Sequence, residues 1–304
     1  GAGLGAVGTA LLLEEVGRNA VTTPVAPALA LAVVPLAAAN DALVDDVVSG
    51  TVLAVGAYQE TPGESFAAGT VTARPTGTGS VALTGTKTAV AAADAADALV
   101  VSARFGDDTV LAVVEQGTPG VTISAGGPVG CRVDFTDAPG RVVLSGAAAD
   151  EALDRTWQHA LLASAATVSG ACARALHLTC AHIASRRQFG RALAEFQVVS
   201  LRAADAHIDV ESIRMATLNA AWHLDEHGSA PAAVLVAKAW AGDGGNRVLR
   251  TAHHLHGGLG VDLSYPLHVL SRLIRREELT YGPPAYHIAR IGDLIAAGVI
   301  DQES

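Results

Sequence analysis

Arg186-Arg187-Gln188-Phe189-Gly190-Arg191-Ala192-Leu193-Ala194-Glu195-Phe196-Gln197 is a corner between two long helical patterns, and the architecture reads outward from it. Upstream, Leu153, Trp157, Leu161, Ala165, Val168, Cys172, Leu176, Cys180 and Ile183 step by three or four, which predicts one long helix ending near Arg186. Gly190 permits a sharp turn there, and the arginines sit at the negative end of a helix dipole. Downstream, the pattern predicts a helix from about Glu195 to His223. A third helix starts at Ser229-Ala230-Pro231, with a Ser cap and a Pro in its first turn, and ends before Gly257-Gly258. A fourth begins near Tyr265-Pro266 and stops at Gly282-Pro283-Pro284, and a short helix closes the chain.

Before this helical half the texture changes twice. Residues 49–148 are rich in Gly, Thr and Val, with short runs read as alternating, such as Ser80-Val81-Ala82-Leu83-Thr84 and Val110-Leu111-Ala112-Val113-Val114, between turn signals. That reads as a small antiparallel β domain. Residues 1–48 return to helical spacing, as in Leu11-Leu12-Leu13-Glu14-Glu15-Val16. Three parts are therefore expected: 1–48 helical, 49–148 β, and 149–304 a four-helix bundle of a kind suited to an oligomer core.

A net charge of −10 argues against a general nucleic-acid binder, because phosphate contacts need a basic face. It leaves room for a local arginine cluster around an anionic ligand. Cys131, Cys172 and Cys180 form neither a disulfide framework nor a metal-ligand pattern, so buried thiols in a reducing, cytoplasmic setting are expected. The most apolar stretch, Pro24 to Ala39, carries three prolines and is shorter than the ~20 residues of a membrane span, so no span is expected. No basic leader is visible.

Two motifs carry candidate chemistry. The corner arginines have the geometry to grip a diphosphate, or serve as ordinary helix C-caps. In His254-Leu255-His256-Gly257-Gly258-Leu259-Gly260, three glycines in four residues let a ligand approach the backbone closely. This stretch follows a helix, whereas a dinucleotide fingerprint follows a strand, so a Rossmann site is excluded. No carboxylate or cysteine stands at metal-ligand spacing from the histidines, and no metal is expected.

Taken in order, R-x-x-F-G-x6-Q, then H-x-x-G-G-x-G about 60 residues on, then Tyr265-Pro266, resemble the C-terminal domain of the acyl-CoA dehydrogenase family. The resemblance implies that family's multi-domain α+β fold: a helical domain whose first helices lie before Gly1, a middle β domain, and a four-helix bundle. It implies FAD at a subunit interface, with Arg186 reaching the diphosphate of a neighbouring subunit's FAD. Phe189 and Gln197 would be further cofactor contacts, and Gly257 and Gly258 the glycine pair beside the cofactor. His254 stands where the family has Gln.

The chemistry of this family removes an α-proton with a carboxylate, and the usual positions hold other residues. The position 24 residues past Gly257 is Tyr281, and the position 26 residues before Arg186 is Ala160. A phenol with a pKa of about 10 is almost wholly protonated at neutral pH. The middle domain departs as well. Tyr58-Gln59-Glu60-Thr61-Pro62-Gly63-Glu64 matches the family's flavin loop only in part, and Thr88-Ala89-Val90-Ala91 follows Lys87 where an aromatic and a Thr are usual.

The expectation drawn is the subunit lacking the catalytic Glu in an actinobacterial heterotetramer acting on steroid (cholesterol) side-chain CoA esters. Its partners would be a Glu-bearing subunit, an acyl-CoA substrate and an electron-transfer flavoprotein as acceptor. Two alternatives stay open. One is a homo-oligomeric dehydrogenase whose base is displaced to Glu277, Glu278, Asp154 or Glu151. Against it, Arg275 and Arg276 mark a solvated charged helix face. The other is a binding or structural relative without chemistry.

Overall fold

The computed structural model describes residues 5–61, 65–66, 69–127 and 129–299. Pro62, Gly63 and Glu64 of the flavin-loop comparison lie outside the described residues. The chain divides into two compact units, one of residues 23–160 and one of residues up to 22 together with residues from 161.

The first unit opens with α2 (Val25–Pro27), a π-helical stretch (Ala28–Val33), α3 (Val34–Ala38) and α4 (Leu43–Ser49); α1 (Gly5–Arg18) belongs to the second unit. Seven strands follow: β1 (Ala54–Ala57), β2 (Thr72–Gly77), β3 (Ser80–Val90), β4 (Ala98–Phe105), β5 (Asp108–Glu115), β6 (Val121–Ala125) and β7 (Cys131–Ser145). The order β4-β2-β3-β7-β5 returns to β4, so five strands close on themselves and remove their own edges. β1 lies outside β4 and β6 outside β7. Most pairings are antiparallel, as the turn spacing predicts, but β1–β4 and the short β2–β4 contact are parallel. Val55, Val71, Leu83, Leu99, Val101, Ala112, Val133 and Phe135 fill the inside. Val110 through Val114 is buried on both faces, which explains a run that is apolar throughout rather than alternating.

A buried polar knot ties β3 to the segment after β1. Lys87 has no exposed surface, and its Nζ donates to Tyr58 O (3.2 Å), Glu60 Oε1 (2.8 Å) and Ser102 Oγ (3.1 Å). Burial pushes the Glu60 carboxyl up, but Lys87, the Thr70 hydroxyl and the Thr70 and Val71 amides hold it down to about 2. Burial pulls the Lys87 ammonium below its ordinary range, and Glu60 only partly restores it. Tyr58, Phe66 and Trp157 pack nearby, with ring centroids 5.0 Å apart in each step.

The second unit contains α1 (Gly5–Arg18), most of α5 (Ala147–Ser185), α6 (Gln197–His227), α7 (Pro231–His256), α8 (Leu267–Leu279) and α9 (Pro284–Ala296). The third bundle helix takes Ala230 rather than Ser229 as its N-cap, because Pro231 occupies the first helical position, and no side chain caps it. α5 is long and apolar enough to cross a membrane, yet 72% of its most apolar 18-residue window is buried inside the protein. Asp225 of α6 receives the Ala6 and Val7 amides at the start of α1 (2.6 and 3.0 Å). Where α1 meets α5, a Cβ on Gly17 would collide with the Thr167 carbonyl oxygen, and one on Gly170 with that of Glu14.

Candidate functional site

The corner after α5 is a two-residue hairpin. Strands β8 (Arg187–Gln188) and β9 (Arg191–Ala192) pair around Phe189 and Gly190, whose φ values are 53° and 83°. Two successive positive φ angles make a type I′ turn. Gly190 adopts this freely, whereas Phe189 adopts it against the usual preference of an aromatic residue. The turn leaves the Phe189 ring 92% exposed, with the Phe196 ring 6.3 Å away and the Arg191 guanidinium 3.9 Å above Phe196. Glu195 Oε1 accepts the Ala192 amide (2.9 Å) and closes the corner before α6 begins at Gln197.

Arg186 sits directly after α5, its amide donating to His182 O (2.8 Å) and its carbonyl accepting from Leu193 N (2.8 Å). The backbone is thus fixed while the side chain is exposed, and its guanidinium makes no hydrogen bond or ion pair among the described residues. An exposed guanidinium on a fixed backbone, with no partner among the described residues, is open to an anion. Gln197 is also exposed.

At the end of α7 the Gly257 backbone takes φ 59° and ψ −135°, a region that residues with a Cβ avoid. Open space surrounds Gly257 and Gly258 where a Cβ would stand, and His254 is exposed beside them. The Gly257-Gly258 pair is therefore an accessible backbone surface.

His182 and His256 join the two motifs. Their rings stack with centroids 4.6 Å apart and planes 22° from parallel, linking the end of α5 to the residue before Gly257. His256 is 5% exposed; its Nδ1 lies 2.7 Å from Ala252 O and its Nε2 3.1 Å from the Tyr265 hydroxyl. Burial, then the neighbouring charges of His256 and Arg186, pull His182 below the ordinary imidazole range. Burial and His253 do the same to His256, against the pull of its Ala252 hydrogen bond. The sequence marks His256 only as a metal-ligand candidate and does not single out His182. Only the fold makes them neighbours of the corner.

The two positions that resemblance assigns to a base are both packed. Ala160 is buried on α5. Tyr281 follows α8 with φ 63° and is partly buried, and burial together with Glu277 raises its phenol further above the ordinary range. The end of α8 is tied down: Lys238, 1% exposed and pushed down to about 8 by burial, donates to the Glu277 and Glu278 carbonyls. Ser164 Oγ adds a bond to Glu277 O (3.3 Å).

The solvated charged face expected at Glu277 and Glu278 is not found. Glu278 is 8% exposed, with Asn246 Nδ2 on Oε1 (2.7 Å) and Arg275 on Oε2, because the α8 face it occupies turns inward against α7. Glu277 pairs with Arg276 (3.0 Å) and is also largely covered. Asp154 and Glu151 are exposed and held by Gln158 (2.7 Å) and Arg155 (2.9 Å). Among the described residues no group of three or more His, Cys, Asp or Glu is placed to hold a metal.

The model of the acyl-CoA dehydrogenase C-terminal domain matches residues 152–295. Acyl-CoA dehydrogenase FadE28 of Mycobacterium tuberculosis is 30% identical over 96% of this chain and 85% of its own length. FadE27 of the same bacterium is 34% identical over 75% of this chain, and that match spans 64% of the relative's length. Among solved structures, a variant of the Tcur3481–Tcur3483 steroid ACAD superposes with a TM-score of 0.88 at 35% identity, covering 98% of this chain and 83% of that one. The ChsE4–ChsE5 complex of M. tuberculosis gives 0.88 at 30% identity, covering 97% and 82%.

Proposed function

Because this chain belongs to the acyl-CoA dehydrogenase family, we propose that it is the subunit of a heteromeric, FAD-dependent dehydrogenase that lends a cofactor contact and leaves proton removal to its partner. One observation carries the reading. The Arg186 corner and the Gly257-Gly258 bend offer an unpartnered cation and open backbone, whereas both base positions hold side chains that are neutral at physiological pH.

FAD fits these residues. Arg186 would face the diphosphate, Phe189 and Gln197 would extend that contact, and Gly257 and Gly258 would admit the cofactor against their backbone, with His254 at their edge. Bound there, the flavin supplies the acceptor for the hydride leaving the acyl β-carbon. Tyr281 keeps its proton, and Ala160 has none to exchange, so this chain's part is to bind and orient. The α-proton would go to a carboxylate of the partner.

Steroid side-chain CoA esters are the substrate class we infer, from the 35% identity to a protein described as a steroid ACAD. A partner chain is inferred from the similarity to one member of the ChsE4–ChsE5 complex. The family resemblance adds an electron-transfer flavoprotein as acceptor. The homo-oligomeric alternative loses support at two of its candidates: Glu278 is already engaged by Asn246 and Arg275, and Glu277 by Arg276.

Co-expression with a Glu-bearing relative tests the proposal. Yellow, active protein only in the presence of that second chain is the expected result. A chain that is yellow alone and oxidises an acyl-CoA would refute it, and one that never retains flavin in any combination would favour a purely structural role.

A further inference from the structure

We propose that His182, His256 and Tyr265 are positioning residues that hold the Gly257-Gly258 bend against the Arg186 corner, and that the two come out of register when the stacked imidazoles take up charge. What the corner holds rests on the reading above; the coupling itself rests on geometry alone.

The carbonyl of Ala252 only accepts, so at 2.7 Å it fixes the proton of neutral His256 on Nδ1. Nε2 is then left as an acceptor, and the Tyr265 hydroxyl at 3.1 Å donates to it. Tyr265 is held in turn, its carbonyl taking His268 Nδ1 at 2.8 Å. The His256 ring is thus gripped at both edges, and His182 covers its face. His182 lies one helical turn before Arg186 and its carbonyl receives the Arg186 amide. Any movement of the His256 ring is therefore felt on one side at Gly257 and on the other at the corner.

Charge undoes this arrangement in three ways. Two protonated rings 4.6 Å apart repel, and Arg186 adds a third positive charge on the α5 side. His253 adds to the repulsion on the α7 side. A protonated Nε2 also reverses its bond to Tyr265. Among the described residues no carboxylate forms a hydrogen bond or ion pair with either ring; Asp262 is bonded to Ser264 and feels His268. Both rings take protons less readily than a free imidazole, so an opened site binds protons first. The contact is complete above about pH 6.5 and weakens as pH falls through the imidazole range.

The test follows amide hydrogen exchange at residues 183–190 and 255–261, together with the flavin Kd of the assembled protein, from about pH 8 to about pH 5.5. His182→Phe keeps a stacked ring that cannot charge, and Tyr265→Phe removes the donor to Nε2. In the unmodified protein both segments are expected to exchange faster together, beyond the intrinsic chemical rate, and Kd to rise on the order of tenfold as pH falls. His182→Phe is expected to flatten both curves, and Tyr265→Phe to move their onset to higher pH. An unchanged slope in His182→Phe, or tighter flavin binding at low pH, would overturn the proposal. If no flavin is held at any pH, the functional reading falls, while the exchange curves still decide the coupling.

Discussion

Tyr281 holds a left-handed backbone conformation at the end of α8, where an aromatic side chain has no intrinsic reason to be. Its phenol stays protonated, so Tyr281→Phe is expected to alter turnover of the assembled enzyme by less than threefold in steady-state assays. A loss above about a hundredfold, roughly 2.7 kcal/mol of barrier, would make it a participant in proton transfer. Arg186→Ala removes an exposed cation that has no partner among the described residues. Flavin content is expected to fall about tenfold in binding terms, on the order of 1.4 kcal/mol, while thermal stability stays within the scatter of surface substitutions. Both residues were legible because each sits in a fixed count from a glycine motif. His182 was not, since its significance is a contact with a residue on another helix, and no local pattern announces that.

Elements were legible where period and punctuation agreed. α5, α6 and α7 lie within a few residues of where spacing puts them, because their apolar positions repeat and Gly or Pro marks their ends. The parallel β1–β4 pairing was hidden, since strand patterns carry no direction. The knot between β3 and the β1 loop was hidden too, because a lysine in a strand reads as solvent-facing. Glu60 makes a clear test of it. Its carboxyl is held at about 2, below its ordinary 4.5, so the folded protein takes up that proton later than the unfolded chain. The stabilisation is complete above pH 4.5 and disappears as pH falls toward 2, and Glu60→Gln should flatten that part of an acid-unfolding curve. Lys87→Met takes the cation from the Glu60 carboxylate, leaving it only the Thr70 and Val71 bonds, and is expected to cost about 3–5 kcal/mol in urea titrations at neutral pH. At the α1–α5 crossing, Gly170→Ala drives a methyl into the Glu14 carbonyl, and a loss of about 1–3 kcal/mol is expected.

The chain as a whole forms two compact units, and the site proposed to serve a neighbouring subunit lies in the second. Its second unit keeps the Arg186 corner, the glycine bend and the histidine stack that joins them. Neither position that the resemblance assigns to a base carries an acid, and the acids close in sequence are held by Asn246, by Gln158 and by arginines. Composition alone foretold none of this, since a net charge of −10 hides the local arginines. The most direct measurement is the flavin-to-polypeptide ratio of the purified assembly, taken from visible absorbance against the mass of each chain. One flavin for every two chains, with a different, Glu-bearing polypeptide as the second, is the expected result. A homo-oligomer of this chain alone carrying one flavin per polypeptide and dehydrogenating an acyl-CoA would contradict it.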